Sequence, residues 1–100
     1  MSELFRRARV VPGRDASLRV LQSGAARATF AVIVPVSVAP KPTRRNSLRR
    51  RGSESLRNIL REWRALPGVQ VVITLRRDVP AGELREILLS LLKKSGILQQ

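Results

Sequence analysis

The fold follows from one stretch, Arg44-Arg45-Asn46-Ser47-Leu48-Arg49-Arg50-Arg51, and from the apolar residues that come after it. Its eight residues include five arginines, one side-chain amide and a single apolar side chain. In a helix, Arg45 and Arg49 lie one turn apart, and the same spacing joins Asn46 to Arg50. One face of such a helix is a row of guanidinium groups, which predicts a polyanionic partner.

The residues around this stretch predict how its helix begins and whether it continues. Ala39-Pro40-Lys41-Pro42 is a stiff linker, because proline fixes φ and lacks an N–H, and Thr43 is a possible N-cap. Gly52 costs a helix about 1 kcal/mol relative to alanine. The helix is therefore expected either to kink at this glycine or to restart, with Ser53 or Ser55 as a new cap.

The clearest helical pattern runs from Ser55 to Leu66 and ends at Pro67-Gly68. Its inward side is apolar and consists of Leu56, Ile59, Leu60, Trp63 and Leu66. Its outward side is basic and carries Arg57, Arg61 and Arg64. Leu48 falls on the apolar side as well, so the whole segment buries one stripe and presents the other to solvent.

Three segments have the composition of strands. Ser17 to Gln22 is a brief mixed pattern, and Ser23-Gly24-Ala25-Ala26 is a plausible hairpin connection to the next strand. That strand, Thr29 to Val38, is apolar almost throughout, so it is expected to be covered on both faces, with Pro35 at a bulge, an edge or its end. Val69 to Leu75 is rich in β-branched residues and is predicted to be a central strand.

A last helix completes the predicted fold. Pro80 fits its first turn, and five apolar residues recur at helical spacing: Leu84, Ile87, Leu88, Leu91 and Leu92. Glu83 and Glu86 lie early, Lys93 and Lys94 lie late, and Gly96 caps the end, all in accord with the helix dipole. The predicted class is α+β, with a small sheet of three to four strands packed with two main helices.

The charge balance indicates a polyanionic partner. Twenty basic residues oppose seven acidic ones, which gives a formal net charge of +13 and a sequence pI near 12.0. Self-repulsion on this scale destabilises a compact fold unless a polyanion neutralises it. Nucleic acid is the leading candidate, and an anionic membrane surface is the second.

The residue types that are missing narrow the chemistry. The chain has no cysteine and no histidine, which excludes disulfides, thiolate metal sites and the commonest general base. No catalytic residue and no metal site are predicted. The longest apolar run, Ala31 to Val36, is far shorter than the roughly 20 residues that span a bilayer. One soluble domain over residues 1–100 is therefore predicted.

The arginine stretch is the strongest candidate for a binding site. A solvated helix face normally mixes both signs of charge, whereas residues 44–51 contain no acid. The planar fork of arginine also suits phosphate oxygens. Phe5 and Phe30 could stack on single-stranded bases, with core packing as the alternative for both, and only Phe5 has basic neighbours, Arg6 and Arg7.

This order of elements, with its basic helix start, resembles the protein subunit of bacterial ribonuclease P over most of the chain. In that family a strand like Phe30–Val38 leads through a loop into a helix that opens with an Arg-Asn-Arg motif and further basic residues. Arg45-Asn46-Ser47-Leu48-Arg49-Arg50 occupies that place here, with Ser47 in the position of the second arginine. Gln70–Arg76 is similar to the family's last strand, and Val79–Leu98 is similar to its final helix.

The resemblance implies a ribonuclease P protein or ribosomal protein S5 domain 2-like fold, with a left-handed crossover against the general right-handed rule. It also implies two RNA surfaces. The basic helix would contact the catalytic RNA through Arg44, Arg45, Asn46, Arg49, Arg50, Arg51 and Arg57. A cleft between sheet and helix would hold the 5′ leader of precursor tRNA, with the candidates Phe5, Arg6, Arg7, Arg19 and Phe30.

On this interpretation the chain is the non-catalytic protein subunit of an endoribonuclease that matures the 5′ end of tRNA. The RNA and its Mg²⁺ ions would perform the hydrolysis, so the protein alone would bind no cofactor. The expected partners are ribonuclease P RNA and precursor tRNA in the cytoplasm, with no membrane and no obligate protein partner. Two alternatives stay open: a ribosomal or other structural RNA-binding protein without a processing role, and a basic module that docks on DNA or an anionic membrane.

Overall fold

A computed structural model describes residues 9–22, 29–65 and 68–99 of the chain. The elements in these ranges are β1 (Arg9–Val11), β2 (Ala16–Gln22), β3 (Thr29–Ile33), α1 (Pro42–Glu62), β4 (Arg64–Ala65), β5 (Val69–Leu75), α2 (Ala81–Ser95) and β6 (Leu98–Gln99). The two helices pack on a four-stranded mixed sheet. The predicted α+β class is confirmed.

The order of strands in the main sheet is β1-β2-β5-β3. Strand β5 pairs antiparallel with β2 on one side and parallel with β3 on the other, so the prediction of a central strand is confirmed. Parallel neighbours need a crossover connection, and α1 lies within the segment that joins β3 to β5. The handedness of this crossover stays a prediction.

One face of the sheet forms the core. Along β5 every second residue is buried, from Val69 to Leu75, while the residues between them are half-buried. Residues paired across strands share a face, so Leu18 joins Ile73 and Val20 joins Val71 in the core. Helix α1 packs against β3 and α2 packs against β1 and β2, and the two helices also contact each other. The opposite face of the sheet therefore carries the alternate residues of each strand.

The predictions for β3 are wrong in two respects. The strand ends at Ile33, because Pro35 begins a turn in which its carbonyl accepts hydrogen bonds from the amides of Val38 and Ala39, at 3.0 and 3.1 Å. Strand β3 lies at the edge of the described sheet, and its alternate residues Thr29, Ala31 and Ile33 are exposed. It is thus covered on one face only, and Pro35 falls just beyond its end.

The predicted hairpin between β2 and β3 is also wrong, because β5 lies between these strands in the sheet. The connection itself, residues 23–28, lies outside the described residues. The hairpin in the described sheet joins β1 to β2 through residues 12–15, and Val10 pairs with Arg19. Strand β1 has only three residues, too few for a periodic pattern in the sequence.

The N-cap of helix α1 lies two residues before the predicted N-cap, Thr43. Its N-cap is Lys41 and Pro42 occupies the first turn, where a missing N–H costs no hydrogen bond. Thr43 is therefore inside the helix. The helix ends at Glu62, short of Leu66, because the chain turns extended at Trp63 and the next two residues pair with β6.

Gly52 neither breaks α1 nor starts a new helix, since α1 is continuous from Pro42 to Glu62. Ser53 and Ser55 are consequently interior positions and not caps. Gly52 is buried, and a Cβ at this position would lie 3.1 Å from Cγ1 of Val32 on β3. The glycine lets the helix backbone approach the sheet closely, and this packing offsets its low helix propensity.

Helix α2 follows its predicted pattern closely. Pro80 is its N-cap, Glu83 lies in its first turn, and Lys93 and Lys94 lie in its last turn. Gly96 caps the C-terminus in the left-handed conformation, with φ of 78°. Neither helix within the described ranges combines the length and the apolar character that crossing a membrane requires.

Candidate nucleic-acid interface

Helix α1 has a buried side and an exposed side. Its buried residues are Leu48, Gly52, Leu56 and Ile59. On the opposite side, which also carries the exposed acid Glu54, lie the exposed residues that we call the α1 stripe, at intervals of four, seven and four positions: Asn46, Arg50, Arg57 and Arg61. This spacing keeps side chains on one helix face, and the α1 stripe extends over about 22 Å at 1.5 Å per residue.

Arg44 is engaged within the protein. Its Nη2 atom donates to Oδ1 of Asp78 at 2.7 Å, and its Nε atom donates to the same oxygen at 3.1 Å. Nη2 also donates to the main-chain carbonyl of Val79 at 3.1 Å. The hydrogen bond from Arg44 holds the pKa of Asp78 below its ordinary value, and that from Asp78 raises the pKa of Arg44. Both members of the pair stay charged at neutral pH.

Arg45 and Asn46 also make contacts inside the chain. Arg45 donates from Nη1 to the carbonyls of Ala39 and Pro40, at 3.2 and 2.9 Å. This contact ties the first turn of α1 to the linker before it. The amide oxygen of Asn46 accepts a hydrogen bond from Nη2 of Arg49 at 2.8 Å, and both side chains are exposed. The Asn46–Arg49 pair is local to the helix surface and is accessible from solvent.

The remaining predicted RNA-binding residues, Arg50, Arg51 and Arg57, are exposed. None of them has a hydrogen-bond or ion-pair partner within the described part of the chain. Two shallow grooves flank Arg50, one lined by Asn46, Arg49, Arg50 and Ser53, and the other by Ser47, Arg50, Arg51 and Glu54. The structure thus makes Arg50 the centre of the accessible arginines.

Arg61 belongs to the predicted outward side of the helix but is not one of the predicted RNA-binding residues. The structure places it one turn after Arg57 on the α1 stripe, and it is exposed. Its spacing from Arg57 was the pattern that could have identified it. The neighbouring acid Glu62 does not offset it directly, because Glu62 is paired with Arg85 of α2 at 2.7 Å.

The two leader candidates within the described residues, Arg19 and Phe30, lie on opposite faces of the sheet. Arg19 is exposed and pairs with Val10 and Val72, so it lies on the sheet face opposite the core. Phe30 pairs with Val71 and packs half-buried against the core, on the face that the helices cover. Phe5, Arg6 and Arg7 lie outside the described residues. Phe30 therefore has the core position that was the alternative to base stacking.

The sheet face around Arg19, which we call the outer sheet face, also carries apolar residues that the sequence analysis did not single out. Val10 is 57% exposed and Ile33 is 47% exposed, although both belong to strands. Ala31 and Thr29 on β3 are exposed as well. The alternation along Thr29–Ile33 was hidden because nearly every residue of this strand is apolar, so periodicity could not assign its faces.

The fold is similar to solved ribonuclease P proteins. The RNase P protein of Staphylococcus aureus matches with a TM-score of 0.79 and 12% identity, over 98% of this chain and 90% of that chain. The RNase P protein of Thermotoga maritima in complex with 1-(4-fluorophenyl)-2-thiourea matches with a TM-score of 0.76 and 23% identity, over 93% of this chain and 91% of that chain. At these identities the likeness shows a common fold.

Among curated proteins, no sequence matches this chain significantly. The family comparison is more informative, because a family model described as Ribonuclease P matches residues 2–96. This match extends over almost the whole chain and includes both helices and the sheet. The chain therefore belongs to the ribonuclease P protein family.

Proposed function

We propose that this chain is the RNA-binding, non-catalytic subunit of ribonuclease P and assists the 5′ maturation of tRNA. Family membership makes it a protein component of ribonuclease P. The proposal adds a role for each surface: the α1 stripe and its flanking arginines bind the catalytic RNA, and the outer sheet face binds the 5′ leader of precursor tRNA.

The observation that carries the proposal is the division of α1 into two sides. Four buried residues hold the helix on the sheet, while Arg50, Arg57 and Arg61 extend from the opposite side without an internal partner in the described ranges. Arginine donates in a rigid planar fork that matches phosphate oxygens. Asn46 can both donate and accept hydrogen bonds through its side-chain amide, and Arg49 can donate them.

The outer sheet face supports the proposed leader site. Its centre combines the cation Arg19 with exposed or half-buried apolar neighbours, Val10 and Val72. Unpaired bases stack on aromatic rings or on the guanidinium planes of arginines, and cations neutralise the phosphates, so Arg19 is the residue of this face that suits both tasks. A single-stranded leader fits this mixture better than a regular duplex does.

The proposal assigns the hydrolytic chemistry to the RNA and its metal ions, and assigns positioning and charge neutralisation to the protein. Asp15, Glu62 and Asp78 are each paired with an arginine, so the described structure engages these three carboxylates in ion pairs. Within residues 9–22, 29–65 and 68–99, no three carboxylate, histidine or cysteine side chains come together.

The direct test is reconstitution. Adding the protein to a bacterial ribonuclease P RNA is expected to increase cleavage of precursor tRNA at low Mg²⁺ concentration, because protein cations replace part of the metal's charge neutralisation. Cleavage rate is measured with and without the folded protein. No increase in rate would contradict the proposed function, and binding to ribosomal RNA alone would favour a structural RNA-binding role.

A charge-matched pair of variants locates the RNA surface. The double variant Arg50→Ala/Arg57→Ala removes two cations from α1, and Lys93→Ala/Lys94→Ala removes two exposed cations from α2. The first is expected to reduce the magnitude of the slope of log K against log salt concentration by about 1.4 to 1.8, since each lost phosphate contact removes about 0.7 to 0.9. The second is expected to change it much less. Equal losses would mean that binding follows net charge and not the α1 stripe.

A further inference from the structure

The first turn of α1 has a favourable proline, Pro42, but neither a capping side chain nor an acidic residue. Lys41 is the N-cap and makes no side-chain capping hydrogen bond, and the first turn contains no acid. Instead it contains Arg44 and, directly after, Arg45. The N-terminus is the positive end of the helix dipole, so cations at this position oppose helix formation.

Asp78 supplies a negative charge to this turn from a distant part of the chain. It lies in the connection between β5 and α2, and its carboxylate accepts three hydrogen bonds from Arg44. The next residue, Val79, is fully buried, and its carbonyl accepts a fourth hydrogen bond from the same guanidinium. The contact is therefore anchored in the core on the Asp78 side.

We infer that Asp78 is a positioning residue for RNA binding: through Arg44 it fixes the start of α1 to the β5–α2 connection and so orients Asn46, Arg49 and Arg50. The inference rests on the proposed function. It gives Arg44 a different role from the neighbouring arginines, since its guanidinium joins two elements of the protein and does not face the RNA.

A rival arrangement predicts the opposite change in RNA affinity when Asp78 is replaced. If Asp78 only occupied Arg44 until a phosphate replaced it, removing the carboxylate would strengthen RNA binding by raising the net charge. The bond from Arg44 to the Val79 carbonyl favours the positioning role, because transfer of the guanidinium to RNA would leave this part-buried carbonyl without that donor.

The test compares two aspartates. Asp78→Asn and Asp15→Asn each remove one negative charge from an aspartate–arginine pair, but Asp15 pairs with Arg77 and not with a residue of α1. Asp78→Asn is expected to bind ribonuclease P RNA about two- to fivefold more weakly than wild type, the range of an exposed ion pair. Asp15→Asn is expected to bind at least as tightly as wild type.

A charge exchange provides the second measurement. Arg44→Asp alone is expected to weaken RNA binding, whereas Arg44→Asp/Asp78→Arg restores the pair in reverse and is expected to return the affinity to within about twofold of wild type. An exchange variant as weak as Arg44→Asp would overturn the inference, because it would show that Arg44 itself contacts RNA. This variant retains an ion pair, so it decides the question even if Asp78→Asn does not fold.

The RNA affinity of the wild-type protein separates failure of the proposed function from failure of the positioning role of Asp78. If the wild-type protein shows no salt-dependent affinity for ribonuclease P RNA, the proposed function itself fails. If wild type binds and Asp78→Asn, confirmed as folded by circular dichroism, binds equally or more tightly, only the positioning role of Asp78 is wrong.

Discussion

Helices α1 and α2 pack beside each other on one sheet, but their first turns differ in charge. Helix α2 has Glu83 in its first turn, Lys93 and Lys94 in its last, and Gly96 in the left-handed conformation that closes a helix. Helix α1 has Arg44 and no acid in its first turn, and its N-terminal half is rich in arginine, although its last turn is basic as well, at Arg61. Neither helix has a capping side-chain hydrogen bond at its N-terminus, so the difference lies in the charge of the first turn.

The difference separates two sources of helix stability. Helix α2 is favoured by its own sequence, because charges and caps act within a turn of the helix end. Helix α1 depends on tertiary contacts: four buried residues on the sheet, and Asp78 at its start. The arrangement that weakens α1 locally also concentrates positive charge on its exposed side, which is the property that an RNA-binding helix needs.

The largest expected change in stability comes from removing a core side chain of α1. Leu56 is completely buried, and Leu56→Ala is expected to lower the free energy of unfolding by about 2–5 kcal/mol, since the cavity adds to the lost transfer energy. Arg57→Ala, one position along on the exposed side, is expected to change it by less than about 0.5 kcal/mol. Urea denaturation measures both. A cost below about 1 kcal/mol for Leu56→Ala would mean that α1 does not depend on packing.

A smaller effect is expected from the two helix glycines. Gly52→Leu is expected to lower the free energy of unfolding by about 1–3 kcal/mol, because the new side chain would meet Val32 on β3, where a Cβ alone lies 3.1 Å from Cγ1. Gly82 lies in the first turn of α2, and a Cβ there would meet nothing within 4 Å. Gly82→Ala is expected to raise the free energy of unfolding by about 0.4–1 kcal/mol, because alanine restricts the unfolded chain. Thermal unfolding of both variants checks the contrast, and equal destabilisation would contradict it.

The smallest effect is expected from a variant that gives the first turn of α1 an acidic residue, as α2 already has. Thr43 is exposed in the first turn of α1, and Thr43→Glu is expected to raise the free energy of unfolding by about 0.3–1 kcal/mol through the helix dipole. The same change is expected to weaken RNA binding, because it puts a negative charge directly before the acid-free run at residues 44–51. Thr43→Gln, which has a similar shape and no charge, serves as the control. A stabilised variant with unchanged RNA affinity would show that the first turn lies away from the RNA.

Local patterns predicted the elements that are long and have one clear period. Val69–Leu75 and α2 were predicted closely, because alternation, dipole charges and a closing glycine are visible within a few residues. Strand β1 was missed because three residues carry no period, and the β2–β3 hairpin was wrong because adjacency in sequence does not decide adjacency in a sheet. Gly52 was misjudged for a similar reason: its role depends on Val32, twenty residues away in the sequence.

Contacts between residues far apart in the sequence also decided the candidate site. Composition identified the arginines, but it did not separate Arg44, which pairs with a residue 34 positions away, from Arg50, which has no internal partner in the described ranges. It also placed Arg19 and Phe30 in one group, whereas the register of β2 and β3 on β5 puts them on opposite faces.

By itself, the sequence determined that this protein is a basic α+β domain with an acid-free run of arginines at the start of an amphipathic helix. These properties depend on composition and on spacing over one or two turns, which act locally. Only the tertiary structure decided which arginines are available, which face of the sheet is open, and what holds the start of α1. Those outcomes depend on ion pairs and strand register between residues that are far apart in the chain, and no local pattern encodes them.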